Sequence, residues 1–151
     1  MATNQEIIDF LRQDELDYPS AAAKFGKAAI PFIKELINSN DENLATKATY
    51  LIGYIGDSSL KDTLVSAASH KFTTVRIAAA FGAQHLGANA GQAVLDKALE
   101  DNDAGVVKLA MNSATKLNVV KNFKIKIDKI AKNFADDNIK LLAKNLILKM
   151  K

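Results

Sequence analysis

Histidine is the residue type most often recruited for proton transfer or metal binding, and this chain of 151 residues has two, His70 and His85. They stand 15 residues apart with no recognisable third ligand, so a zinc site is not indicated. His70 falls just past a helix end, where an imidazole can bind the last carbonyls. Asp101 and Asp103 read as turn and N-cap residues rather than as a carboxylate pair. No Ser/His/Asp order, glycine-rich phosphate loop or HExxH motif stands out. Cysteine is absent, which excludes disulfides and thiolate metal sites and fits a reducing compartment. The reading is therefore of a non-enzyme with no catalytic residue, metal or cofactor.

A second set of residues could bind rather than react. Leu44, Ala48, Leu51, Ile52 and Ile55 mark the apolar face of one amphipathic helix. At about 100° per residue, positions 46, 50 and 53 face the other way and 54 lies on a flank. Tyr50 and Tyr54 occupy that side. The corresponding side of the next helix of this kind carries Ile77, Phe81 and His85, and that of the one after carries Asn112 with Met111 close by. Clustered exposed aromatics favour a binding site, because they bury much area with few rotors to fix. Tyr50, Tyr54, Ile77, Phe81, His85, Met111 and Asn112 are thus the expected partner-binding residues. The competing reading is that some of them fill gaps between neighbouring helices.

Charge is the third signal. The net charge is +3, but it is unevenly spread. Residues 1–50 hold five Lys/Arg against eight Asp/Glu, and residues 101–151 hold eleven Lys against five Asp. Lys121, Lys124, Lys129, Lys140 and Lys144 are the candidate anion-binding residues, with Lys126, Lys132 and Lys149 nearby. Lysine can neutralise phosphates. Against nucleic acid stand the lack of arginine in this tail, the admixture of Asp128, Asp136 and Asp137, and few aromatics for stacking. The plainer account is a polar outer face on the last unit.

The elements that must position these groups follow from an internal echo. Leu44, Val75 and Val106 are each 31 apart, as are Ala48, Ala79 and Ala110, and Ile55, Leu86 and Leu117. Gly56 and Gly87 close two of the three copies. A fixed period of this size means stacked helical units, each covering the apolar face of its neighbour. The pattern predicts ten helices, at 4–13, 18–26, 28–39, 42–55, 58–69, 73–86, 89–100, 104–117, 120–133 and 136–150. Asp41, Thr73 and Asp103 are the expected N-caps, with Ser59 and Asp62 as a variant capping box. Pro31 is tolerable only in a first turn. In the last unit the period lengthens to 33, matching Ile139 and Ala143 to Val106 and Ala110. The expectation is one domain, 1–151, in approximate units 4–26, 28–56, 58–87, 89–118 and 120–150: an all-α, right-handed α-solenoid (α-α superhelix) of about five antiparallel helix pairs.

The unit Ala29-Ile-Pro-Phe-Ile-Lys-Glu-Leu-Ile, a polar turn with Asp, and then an apolar helix ending in Gly resembles a HEAT repeat. It is closest to the short variety found in phycobilin lyases. Thr74-Val75-Arg76-Ile77-Ala78-Ala79 resembles that family's Val-Arg-x-x-Ala-Ala signature. The resemblance covers residues 27–118 well and the ends weakly. It implies a curved surface used mostly for binding other proteins. In the family a turn Asp and this Arg often form a ladder through successive units; here the Arg76 position reads Ala45 before and Val107 after, so no ladder can run the length of the chain.

The function expected is a non-catalytic scaffold or adaptor, armadillo-like in outline, that presents a concave helical face to a protein partner. One alternative is nucleic-acid binding through the basic C-terminal third. A second is an accessory or lyase-like subunit of an enzyme; excision of damaged bases, which some proteins resembling this one perform, would want tryptophan and acids in a basic groove. The start of the chain lacks the basic-then-apolar pattern of a signal peptide, and no apolar run approaches a membrane span. The expected location is cytoplasmic, and the expected state a monomer or weak homodimer.

Overall fold

The computed structural model describes residues 2–150; Met1 and Lys151, the two ends of the expected domain, lie outside the described residues. Among the described residues there are ten α-helices: α1 Asn4–Leu11, α2 Tyr18–Phe25, α3 Ile30–Ile37, α4 Glu42–Ile55, α5 Lys61–Ala67, α6 Thr73–Gly82, α7 Ala88–Ala98, α8 Ala104–Lys116, α9 Lys124–Asn133 and α10 Asp137–Lys149. No strand occurs among the described residues. Four of the expected helices are split: short 3-10 turns at Lys27–Ala29, Ser58–Leu60 and Val120–Phe123 lead into α3, α5 and α9, and one at Ala83–His85 follows α6. Pro31 sits in the first turn of α3, where its missing N–H breaks no helical bond.

Aspartates start the helices. The side chains of Asp17, Asp41, Asp103 and Asp136 accept the N–H groups of Ser20, Leu44, Val106 and Ile139. Two expected caps are corrected. Thr73 is the first residue of α6 rather than its cap; Phe72 holds that place with no side-chain bond. Ser59 does not open a capping box. Asp57 accepts both its N–H and its hydroxyl, because a carboxylate outcompetes a hydroxyl as acceptor and leaves Ser59 a donor.

The echoed positions form the core. Ala48, Ala79 and Ala110 are fully buried, as are Val75 and Val106, with Leu44 close to it. One buried apolar cluster runs from Ile7 in α1 to Leu146 in α10. The even-numbered helices stack on one another, α2 on α4, α4 on α6, α6 on α8 and α8 on α10. The odd-numbered helices form the other layer. The result is an all-α solenoid. Gly56 closes α4 in the left-handed conformation with φ of 66°, Gly87 precedes α7 with φ of 83°, and Asn118, one further period on, follows α8 with φ of 58°.

Polar side chains staple the stack. Arg76 donates from Nε to Asp101 at 2.8 Å, from one terminal nitrogen to the His70 carbonyl at 3.0 Å and from the other to the Thr73 hydroxyl. This single rung joins the turns of successive pairs; Ala45 and Val107, at the corresponding positions, are fully buried. His70 receives the Phe72 N–H on Nδ1 at 3.1 Å. Its Nε2 therefore carries the proton and donates to the Ile37 carbonyl at 3.0 Å, across a pair boundary. The Ser113 hydroxyl donates to the Ala80 carbonyl at 2.7 Å.

Candidate functional site

A run of aromatic rings crosses the even-numbered helices. Its members are Tyr18 on α2, Tyr50 and Tyr54 on α4, Phe81 on α6 and His85 in the turn that follows. Tyr18 stacks on Tyr54 with centroids 5.5 Å apart and planes 2° from parallel. It also meets Tyr50 at 5.7 Å. Phe81 lies 5.6 Å from Tyr50 and 5.5 Å from Tyr54. His85 tops the run, 4.8 Å from Tyr54 and edge-on to Phe81 at 5.5 Å. All five are half-buried: each ring is gripped by neighbours on one side and wet on the other.

The spacing is set by glycine. A Cβ on Gly53 would lie 3.0 Å from the Gly82 Cα, so α4 and α6 touch backbone to backbone there. A Cβ on Gly56 would lie 2.8 Å from the His85 carbonyl oxygen, which brings the end of α4 against the His85 turn. The rings beside these glycines, Tyr54 and Phe81, and those three residues away, Tyr50 and His85, are thereby held at stacking distance.

Burial governs the electrostatics. The Tyr18 phenol is pushed up to about 12, first by desolvation and then by the neighbouring phenols of Tyr50 and Tyr54. Tyr50 moves up for the same reasons, burial first and Tyr54 second. His85 moves down, through burial first and the Lys116 ammonium second. Its Nε2 is buried and has no hydrogen-bond partner. The face is neutral and aromatic at physiological pH.

Not every expected member belongs to this face. Met111 is fully buried and is a core residue. Its position is turned toward the apolar spine, one residue off the outward register. Ile77 is half-buried and packs on α8: a Cβ on Gly105 would meet its Cδ1 at 3.0 Å. It fills the gap between neighbouring helices, as the packing reading held. Asn112 is exposed and lines, with Phe81, Leu109, Lys116, Leu142 and Lys149, an open groove of about 400 Å³ beyond the rings. At the other end Tyr18 and Tyr50 border a second groove of about 670 Å³, with Asp14, Glu42 and Lys47 on its rim.

Sequence reasoning missed Tyr18 and the ring behind it, Phe10, which meets Tyr18 edge-on at 6.0 Å. A signal was present in Asp17-Tyr18-Pro19, a helix start that puts a tyrosine in the first turn. The irregular period of the first pair hid its register.

The candidate anion-binding lysines are divided. Lys121, Lys124 and Lys129 lie in or before α9, and Lys140 and Lys144 on α10. Lys140 is half-buried and the other four are exposed. Of their neighbours, Lys126 binds Asp96 at 3.0 Å and Glu100 at 3.5 Å, and Lys132 binds Asp128 at 2.8 Å. Among the described residues no three His, Asp or Glu side chains converge as a metal set, and no helix is long and apolar enough to cross a membrane.

Comparison with known proteins fits this architecture. A chain in the structure of the complex of CpcE and CpcF of phycocyanin lyase from Nostoc sp. PCC7120 superposes with a TM-score of 0.66 at 20% identity, covering 83% of this chain and 86% of that one. At that identity the likeness is one of fold. No curated protein matches the chain. The family of HEAT repeats matches residues 30–115, a span that contains Tyr50, Tyr54, Phe81 and His85, and the chain belongs to that family.

Proposed function

We infer that this protein is a non-catalytic scaffold, and that the ring-bearing face of its even-numbered helices binds a protein partner. The observation that carries this reading is the half-wet run Tyr18, Tyr50, Tyr54, Phe81 and His85. Rings fixed by their neighbours lose little rotamer entropy when a partner covers them. Asn112 extends the face as an adaptable polar contact. The flanking grooves offer a partner both a polar rim and an apolar floor. The lack of cysteine supports work in a reducing compartment such as the cytoplasm.

One observation favours a second reading, that of an accessory subunit of an enzyme. One solved structure of similar fold is a complex of CpcE and CpcF of a phycocyanin lyase. Both readings use the surface in the same way and differ in what the bound partner does.

The test is affinity purification with mass spectrometry, comparing wild type with Tyr50→Ala and Phe81→Ala, alongside thermal melts. A partner retained by wild type and lost by variants of unchanged Tm supports the reading. Variants that melt several degrees lower while keeping every partner assign the rings to packing and overturn it.

A further inference from the structure

The two ends of the array are complementary. Thr46 of α4 shares a hydroxyl hydrogen bond of 2.7 Å with Thr74 at the start of α6. Ile77, one period on, touches Gly105 at the start of α8. Gly53 meets Gly82. Thr46 and Gly53 are thus positions that α4 turns toward α6, and Ile77 is one that α6 turns toward α8, whereas Lys108 and Thr115, their counterparts on α8, are exposed. With the longer last period, Leu141 corresponds to Thr46 and Ile77, and Leu148 to Gly53. Both leucines sit on α10, two turns or about 10 Å apart. They are 56% and 63% exposed, which makes them two of the three exposed large apolar side chains among the described residues. Lys144 stands between them and Lys140 beside them, with Asp137 at the start of the same helix. The α10 face is thus apolar and basic.

At the opposite end, α1 and α2 enclose a groove of about 400 Å³. Phe10 and Phe25, in edge-on contact at 5.9 Å, lie along its wall. Glu6, Asp9, Glu15 and Asp17 surround it, and Lys24 lies over the Phe25 ring. Four carboxylates around an aromatic wall suit a ridge of leucine and lysine.

We propose that the occupant of the α10 face is a second copy of this chain, joined head to tail: Leu141 and Leu148 enter the groove between α1 and α2 of the next copy, and Lys140 and Lys144 meet its carboxylates. The two surfaces differ, so the contact is heterologous, and a pair of copies still has one head and one tail free. Assembly grows by single steps, and salt weakens it because part of the attraction is between exposed charges. It leaves the aromatic face open to its own partner.

Sedimentation equilibrium tests this with the full chain. The weight-average mass rises with concentration past that of two chains, and falls between about 0.05 M and about 0.5 M salt. Leu141→Glu/Leu148→Glu blocks the tail, and Asp9→Lys/Glu15→Lys blocks the head. All four positions are exposed, so both variants keep wild-type circular dichroism. Each alone stays a single chain. Mixed, they form a pair of one copy of each and stop there, because one retains an intact head and the other an intact tail. Wild type that remains a single chain at every concentration, assembly that ends at a symmetric dimer, or mixed variants that fail to pair would each overturn the proposal.

Discussion

Gly53 of α4 and Gly82 of α6 lie in backbone contact: a Cβ built on either would sit 3.0 to 3.2 Å from the other's Cα. That contact fixes the separation of the helices that carry Tyr50, Tyr54 and Phe81. It also sets two effects against each other. Alanine is favoured over glycine inside a helix by about 1 kcal/mol. Overpacking a tight contact costs about 1–3 kcal/mol. At Gly82 the new methyl would also meet Leu64 Cδ1 at 3.2 Å. The packing penalty wins, so Gly82→Ala loses about 1–2 kcal/mol, or roughly 5 °C in Tm. Gly53→Ala/Gly82→Ala loses more than the sum of the singles, because the two methyl groups meet each other. Thermal melts of the three variants check this; a single variant that melts higher than wild type would contradict it.

The third copy of the echo carries a different test. Asn118 holds φ of 58° where the earlier copies have Gly56 and Gly87. Its N–H binds the Thr115 carbonyl at 3.1 Å, and the Val119 N–H binds the Ala114 carbonyl at 3.0 Å, a Schellman closure of α8. Asparagine tolerates this conformation better than other residues with a Cβ, but less well than glycine. Asn118→Gly gains a few tenths of a kcal/mol, and Asn118→Ala loses about 1 kcal/mol. Chemical denaturation measures both; equal effects of the same sign would show that the turn does not select the residue.

Asn118 also shows where the sequence is easy to read and where it is not. The spacing that puts Ala48, Ala79 and Ala110 on one spine is a property of each helix alone, so periodicity finds it. The helix ends follow from short-range chemistry: Asp41 and Asp103 cap as expected, and Asp57 displaces Ser59 only because a neighbouring carboxylate accepts more strongly. The candidate site is harder, because it depends on how adjacent helices approach. Tyr50, Tyr54, Phe81 and His85 come together as their helical phase suggests. Ile77 shares their phase yet is wedged against Gly105, and Met111, one residue off that phase, is swallowed by the core. A difference of a fraction of a turn decides between groove and interior, and only interhelical distance sets it. Tyr18 escaped notice because its helix departs from the period.

The stacked phenols make a prediction at alkaline pH. The chain has three tyrosines. Tyr18 rises from an ordinary 10.0 to about 12, and Tyr50 rises with it. A folded value above the unfolded one means that the stabilisation is whole below pH 10 and is lost as pH climbs toward about 12. Ultraviolet titration of the native protein therefore shows Tyr18 ionising well above the ordinary range, and unfolding in guanidinium brings its ionisation back to that range. Tyr18→Phe removes the late step and flattens the alkaline loss of Tm. A native titration superimposable on the unfolded one would contradict the half-buried ring stack.

His85 makes the corresponding prediction on the acid side. Tyr54 and Phe81 cover its ring, Lys116 is the cation that faces it, and Nε2 has no partner. Burial, and then Lys116, hold the folded imidazole below its ordinary 6.5. The unfolded chain therefore takes up a proton before the folded one does. Between the two values the unfolded state holds more protons, so stability rises with pH. The contribution is whole well above pH 6.5, and shrinks as pH falls through that value toward the folded one. His85→Phe keeps a ring against Tyr54 and Phe81 and removes both the titration and the unpaired nitrogen. Its Tm is higher than wild type at pH 6 and below, and the slope of Tm against pH between about 5 and about 7 is shallower. Melts across that range decide the matter. If wild type and His85→Phe run parallel, the imidazole is as well solvated in the folded chain as in the unfolded one, and the tight packing of His85 against Tyr54 is wrong.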